Sequence, residues 1–365
     1  MTTLKGVIAR PDGTLAQGKI SFGAKIDSIE QVSQSGGDLI LPGLIDLQVN
    51  GSHGIDVMSA TAAQIAALGR HLAKEGTTAW LPTGITAPID RIERVHDAIA
   101  DAMDESDPDA QCNSATILGM HLEGPFISPA RLGAHPPLNL EPHSDALERV
   151  LAMRALRLIT LAPELPRAVD AIGRFIARGV TVSIGHSNAT LEEANDGIAA
   201  GARMFTHLFN AMRPMHHRDP GVIAAALAPS SAMAALIPDE VHVHPELLRL
   251  AYRVRGKDGL ILVTDKVALA ETAGRGRAQV KGGAARLADG TLAGSVISML
   301  DGVRVMIERC GVGAGEAAVM AASNPARLIG AADRGRLEIG MRADLLILNA
   351  KLELKAVYIG GRELR

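Results

Sequence analysis

Aromatic residues are scarce in this chain, Phe, Trp and Tyr together making up 2% of its 365 residues. That shortage, with no basic tract and no basic patch interleaved with aromatics, excludes the usual nucleic-acid surfaces. Cysteine is nearly missing too. Cys112 and Cys310 lie far apart and match neither a disulfide framework nor a CxxC metal site. Both are expected to be free thiols in a reducing compartment. No uninterrupted apolar run reaches the roughly 18 residues of a membrane span, and the opening MTTLKGVIARPDG lacks the apolar core of a signal peptide. A soluble, cytoplasmic protein is the expectation. Neither sign of charge dominates, with 37 basic and 40 acidic residues giving a net charge of −3.

What the chain does have is small aliphatic residues. Hydrophobic residues reach 47%, carried by Ala, Val, Ile and Leu, a composition suited to layered α/β packing. From about residue 40 short apolar runs alternate with amphipathic stretches. The runs are Leu44–Val49, Thr77–Pro82, Ala115–Leu122, Leu156–Ala162, Val180–Ile184, Arg203–Thr206, Met233–Ile237 and Gly259–Val263. Helical periodicity falls between them at Ala62–Lys74, Asp90–Met103, Ala168–Ala177 and Leu191–Ala199. Eight runs of this kind predict a parallel (β/α)8 barrel, whose strands read as continuously apolar because both faces are buried. Residues 1–40 and 336–365 break the rhythm with short strand-like segments and are predicted to pack together as a small β domain beside the barrel at 41–335.

Polar residues with chemical potential fall where the barrel strands should end. Strand three runs into His121-Leu122-Glu123, strand five into Gly185-His186-Ser187, strand six into Thr206-His207 and strand eight into Thr264-Asp265. Active sites of this fold sit at that mouth. Taken singly, each His reads as a hydrogen-bonded structural residue, Glu123 as a cap or an ion pair, and Asp265 as an N-cap. Their joint placement on four strands points instead to a metal centre. Glu123, His186 and His207 form a one-carboxylate, two-imidazole set that leaves a position open for water. A dication there would lower the pKa of that water from about 15.7 to about 7. Asp265 would accept its proton and return it to a departing amine.

The segments HLEGPF (121–126), GHS (185–187), THLFNAM (206–212) and LVTD (262–265) resemble the signatures of N-acetylglucosamine-6-phosphate deacetylases. LPGLIDLQVNG (41–51), TLAPE (160–164), LADGTLAGS (287–295) and Asn324-Pro325-Ala326 extend the resemblance over nearly the whole chain. It implies a (β/α)8 barrel with a small β-sandwich, a homodimer, and hydrolysis of N-acetylglucosamine-6-phosphate. By the same resemblance Glu123, His186 and His207 are metal ligands and Asp265 is the acid/base. Ala134 and His135 contact substrate, with His135 suited to donate to the acetyl oxygen. Asn210, Ala211 and Arg218 face the phosphorylated sugar, although Arg218 in its polar HHRDP loop also reads as a surface ion pair. His242 reaches the phosphate of the neighbouring subunit's substrate, and Ile297, Ser298 and Met299 line the sugar pocket. Gln48 and Asn50 stand where many amidohydrolases carry His-x-His, which resembles the single-metal form with zinc, or Fe2+, Co2+ or Mn2+, as the ion.

Two positions depart from the family. Asp239-Glu240-Val241-His242 replaces Asp-Gly-x-His, and Glu240 would repel a phosphate unless it turns away or meets His216, His217 or Arg218. Lys266 follows the acid/base where a small residue is usual, and the loop to about 283 is rewritten. Loop drift explains both, with an altered sugar or phosphate preference as the alternative. The nearest rival activity is deacetylation of N-acetylgalactosamine-6-phosphate. A dihydroorotase would need a carboxylated Lys after strand four, where Ala162-Pro163-Glu164 stands. A barrel kept only for binding would be expected to have lost one of the four polar groups.

Overall fold

A computed structural model describes residues 1–33, 36–104, 113–269 and 278–364. Four strands open the chain, β1 (Thr2–Ala9), β2 (Leu15–Phe22), β3 (Ile26–Gln31) and β4 (Leu39–Pro42). The first barrel strand β5 (Leu44–Val49) is followed by a tight hairpin, β6 (Gly51–Ser52) and β7 (Ile55–Asp56). The remaining barrel strands are β8 (Thr77–Ile85), β10 (Met120–Glu123), β11 (Leu156–Leu161), β12 (Thr181–Ile184), β13 (Met204–Phe205), β14 (Met233–Leu236) and β15 (Leu260–Leu262), with β9 (Thr116–Ile117) pairing beside β8. A three-stranded antiparallel flap, β16 (Gln279–Lys281), β17 (Ala284–Arg286) and β18 (Leu292–Gly294), follows. The chain ends on β19 (Leu345–Leu348), β20 (Leu354–Ile359) and β21 (Arg362–Glu363).

Strands β5, β8, β10, β11, β12, β13, β14 and β15 are neighbours in that order, each pair parallel, as expected from eight apolar runs. Side chains from six of them, including Ile45, Leu81, Leu158, Met204, Ala235 and Ile261, meet in one apolar cluster that fills the lumen. Helices α1 (Ala62–Lys74), α2 (Ile89–Asp104), α3 (Ser144–Leu151), α4 (Ala168–Ala177), α5 (Leu191–Ala199), α6 (Gly221–Leu227), α7 (Pro245–Arg255) and α8 (Met299–Glu308) cover the outside. Their starts are written locally. Thr61 with Gln64, Thr190 with Glu193 and Ser298 with Asp301 form reciprocal capping boxes on α1, α5 and α8.

The seam between β15 and β5 is closed by side chains as well as backbone. Asp46 accepts from the Thr264 hydroxyl at 2.6 Å and from the Thr264 amide at 3.2 Å. Asn50 and Gly51 amides both donate to the Lys266 carbonyl, at 2.8 and 3.0 Å. Burial pushes the Asp46 carboxyl up to about 6, against the hydrogen bonds it accepts. This seam ties the residue before Asp265 to the strand that carries Gln48.

The two ends of the chain share one seven-stranded sheet, ordered β21-β20-β19-β4-β1-β2-β3. It curls until its ends face each other. Phe22 of β2 and Tyr358 of β20 lie edge to face at 5.2 Å over a core of Ile8, Ile20, Ile40 and Leu345. Among the described residues no helix is long and apolar enough to cross a membrane. Cys310 is buried, while Cys112 lies outside the described residues.

Candidate active site

Glu123 is the last residue of β10, and His186, His207 and Asp265 lie just past the ends of β12 (Ile184), β13 (Phe205) and β15 (Leu262). The barrel brings the first three into contact. The Glu123 Oε1 atom lies 2.9 Å from His207 Nε2 and 3.2 Å from His186 Nε2, and the two imidazole nitrogens are 3.1 Å apart. Each of these residues is 4% exposed or less. His186 Nδ1 donates to the Arg131 carbonyl at 2.8 Å, so its Nε2 presents a lone pair. A carboxylate oxygen and two ring nitrogens converging out of water suit a cation held among them. Within the described residues this is the one group whose donor atoms are close enough to hold an ion together.

The backbone is bent to achieve this. His186, His207 and Asp265 all have positive φ, 47°, 32° and 49°. Such conformations cost of order 1–3 kcal/mol each and cluster where function needs a side chain aimed. Phe209 and Ala211 continue the pattern at 80° and 48°, winding the loop after β13 back over the cavity. Gly124, at φ 88°, has no alternative, because a Cβ there would stand 2.3 Å from the Thr86 hydroxyl. Glu164, after β11, anchors the GHS loop by accepting from the Ser187 hydroxyl at 2.8 Å and the Asn188 amide at 2.6 Å. The sequence flagged Glu164 as the end of the TLAPE segment and as a residue that is not a lysine, without this anchoring role.

Electrostatics separate the two acids. Burial would raise Glu123, but hydrogen bonds with His135, His186 and His207 outweigh it and hold the carboxyl well below the ordinary range. Asp265 moves the other way, pushed up to about 8 by burial and then by the neighbouring Glu123 charge. A cation at the triad would draw that value down. One carboxylate is thus a permanent anion, and the other is a base that can take up a proton near neutral pH. Burial, then the neighbouring His186, pulls His135 down to about 4, so it stands neutral.

Gln48 and Asn50 hold these acids in place. Gln48 Nε2 donates to Glu123 Oε1 at 3.1 Å and to Asp265 Oδ1 at 3.0 Å, and Asn50 Nδ2 donates to the same Asp265 oxygen at 2.7 Å. Asp265 Oδ1 is therefore occupied by two amides. His135 lies on the opposite side, its Nε2 3.5 Å from Glu123 Oε2. A cavity of about 260 Å³ opens above the triad, lined by Asn50, Glu123, Ala134, His135, His186, His207, Asn210, Ala211, His242 and Asp265. Its far wall comes from Val267, Ala268, Leu287 and Thr291–Gly294.

The other residues expected at the site stand at varied places around this cavity. His242 lines the cavity of its own chain, and its Nδ1 is held by Asp239 Oδ2 at 2.6 Å, which leaves Nε2 for a ligand. Arg218 does not line that cavity; it is exposed and contacts His217 at 2.7 Å. Ile297, Ser298 and Met299 are also outside the lining, because Ser298 caps α8 and Met299 is buried under it. Glu240 meets none of His216, His217 or Arg218, and pairs instead with Arg309 at 3.0 Å. Lys266 turns away from the mouth into a partly buried pair with Glu75 at 2.7 Å. The rewritten loop expected after Lys266 falls partly on residues 270–277, outside those described.

The amidohydrolase family model matches residues 39–364, and the chain belongs to that family. A Lysinibacillus sphaericus N-acetylglucosamine-6-phosphate deacetylase is 34% identical over 360 residues, covering 96% of this chain and 91% of its own length. Within the amidohydrolases the chain accordingly belongs with the N-acetylglucosamine-6-phosphate deacetylases. An Escherichia coli O157:H7 N-acetylgalactosamine-6-phosphate deacetylase is 36% identical, covering 91% of this chain and 89% of its own. The Mycobacterium smegmatis N-acetyl-D-glucosamine-6-phosphate deacetylase, solved as a mutant in complex with N-acetyl-D-glucosamine-6-phosphate, superposes with a TM-score of 0.90 at 29% identity, covering 99% of this chain and 98% of that one.

Proposed function

We propose that this chain hydrolyses the N-acetyl amide of N-acetylglucosamine-6-phosphate, giving glucosamine-6-phosphate and acetate. The observation that carries the reading is the convergence of Glu123, His186, His207 and Asp265 from four strand ends into one cavity that His135 and His242 also line. Glu123, His186 and His207 hold one divalent ion, zinc, per chain. That ion supplies Lewis acidity, which makes water a competent nucleophile near neutral pH. Asp265 takes the proton of the attacking water and delivers it to the amine nitrogen as the C–N bond breaks. His135 donates from Nε2 to the acetyl oxygen as it becomes negative. Gln48 and Asn50 occupy the ground a second ion would need, and their amides fix Asp265 instead.

At the other end of the cavity Asn210, Ala211 and His242 bind the sugar phosphate. We assign Arg218 to the phosphate as well, reached from the partner in a homodimer, since it is exposed and absent from its own chain's cavity. The division into a terminal β unit (1–40 and 336–365) and a catalytic barrel (41–335), and a cytoplasmic location, complete the reading. The test is acetate release by metal-loaded enzyme from N-acetylglucosamine-6-phosphate, N-acetylgalactosamine-6-phosphate and unphosphorylated N-acetylglucosamine. Preference for the first supports the proposal. Preference for the second transfers it to the galacto epimer, and equal rates with and without phosphate overturn the phosphate assignment.

A further inference from the structure

We propose that Thr86 is a positioning residue that sets the tautomer of His135 and thereby presents an N–H to the reacting carbonyl; this rests on the reading of His135 as the oxyanion donor. Thr86 follows β8 directly and is fully buried. Two of its atoms address one nitrogen of the histidine ring. The hydroxyl lies 2.9 Å from His135 Nδ1 and the backbone amide 3.4 Å from the same atom. A backbone N–H can only donate, so Nδ1 must offer its lone pair. A neutral imidazole with a bare Nδ1 carries its proton on Nε2. That nitrogen is the one turned to the triad, 3.5 Å from Glu123 Oε2.

The alternative tautomer fails on both sides of the ring. Nδ1–H would face the Thr86 amide donor, and Nε2 would aim a lone pair at an oxygen becoming negative. Thr86 itself does not line the cavity, so it acts through His135. Its hydroxyl is also lodged against Gly124, the residue after Glu123, where a Cβ would stand 2.3 Å away. The side chain is therefore confined between the carboxylate-bearing strand end and the ring it orients.

The experiment compares Thr86→Val, which keeps the shape and removes the hydroxyl, with Thr86→Ser, which keeps the hydroxyl. In metal-loaded enzyme Thr86→Val should lower kcat about five- to tenfold, the scale of one net hydrogen bond, with KM and metal content unchanged. Thr86→Ser should rescue kcat. In a His135→Ala background Thr86→Val should cost nothing further; an equal additional loss there would make Thr86 merely structural and overturn the inference. Nitrogen-15 NMR of the His135 ring decides the tautomer independently of activity. Wild type should show Nε2 protonated and Nδ1 bare, with the other tautomer growing in Thr86→Val. A wild-type ring protonated on Nδ1 overturns the inference whatever the rates. Should His135→Ala keep full turnover, the oxyanion role falls instead, and the NMR result still decides what Thr86 does.

Discussion

At the floor of the cavity Glu123, His186, His207 and Asp265 sit on or just past barrel strand ends, and the first three are buried and touch one another directly. At the rim the polar groups come from loops. Asn210 and Ala211 ride on a turn of left-handed residues, His242 on a short turn pinned by Asp239, and the far wall on the β16–β18 flap. Parallel strands fix the floor because their ladder sets where each terminal side chain points. Loops absorb change. Both departures from the family lie on loops beside the mouth, and each charge is answered locally, Glu240 by Arg309 and Lys266 by Glu75. Neither reaches the floor.

The contrast breaks most severely if the floor is discharged. Glu123→Gln removes the only anion of the triad, and elemental analysis should show loss of the bound ion. Turnover should fall roughly 10³–10⁵-fold, since the ion is worth several kcal/mol at about 1.4 kcal/mol per tenfold. Retention of a full complement of metal would show that the ligand set is misassigned. Asp265→Asn comes next, keeping the ion while reducing turnover roughly 10²–10⁴-fold. Its pH profile sharpens the point. A base works when deprotonated, so wild-type kcat/KM should fall as pH drops through its pKa, which lies at or below about 8. The acid limb should vanish in Asp265→Asn; its persistence would assign the base elsewhere.

Rim changes should act on binding. His242→Ala should raise KM for the phosphorylated sugar about tenfold or more, the scale of one charge-assisted hydrogen bond, and barely alter kcat. Arg218→Ala should do the same through the partner subunit. Mixing Arg218→Ala with Asp265→Asn protein distinguishes the two geometries. Hybrid dimers would pair an intact Asp265 with an intact Arg218 across the interface and recover low-KM activity. No recovery on mixing would leave Arg218 as a surface residue.

The same division governs what could be read from sequence. The strands were legible because burial on both faces makes them apolar runs between turn residues, and α1, α4 and α5 begin and end where periodicity puts them, α1 and α5 with capping boxes at their starts. The floor was legible because a residue at a strand end has one direction to point. His242 was legible only through the family motif, since the conformation of residues 239–242 depends on Asp239 accepting hydrogen bonds from two amides and holding the ring. Ser298 carries a capping-box signature with Asp301, a structural role that stands beside the pocket role the resemblance implies. Thr86 carried no signal, because one threonine among several reveals nothing until the fold sets it against His135.

The smallest effect tests whether the rim substitution at Glu240 is tolerated or functional. Glu240 has φ 62°, a left-handed conformation that suits the glycine the family usually carries there. A non-glycine residue with a Cβ is strained in that region, while glycine costs more entropy on folding, by about 0.4–1 kcal/mol. The side chain also gains an ion pair with Arg309, but the two groups are 37% and 61% exposed, so the pair adds little. Strain relief should slightly exceed the two losses, and Glu240→Gly should stabilise the fold by no more than about 1 kcal/mol in denaturant titration. Because the carboxylate already faces Arg309, KM for the phosphorylated sugar should stay within about twofold, less than half of one hydrogen bond to a charged group. A tenfold fall in KM would mean that Glu240 opposes the phosphate after all, and the rim would then be a site of altered specificity.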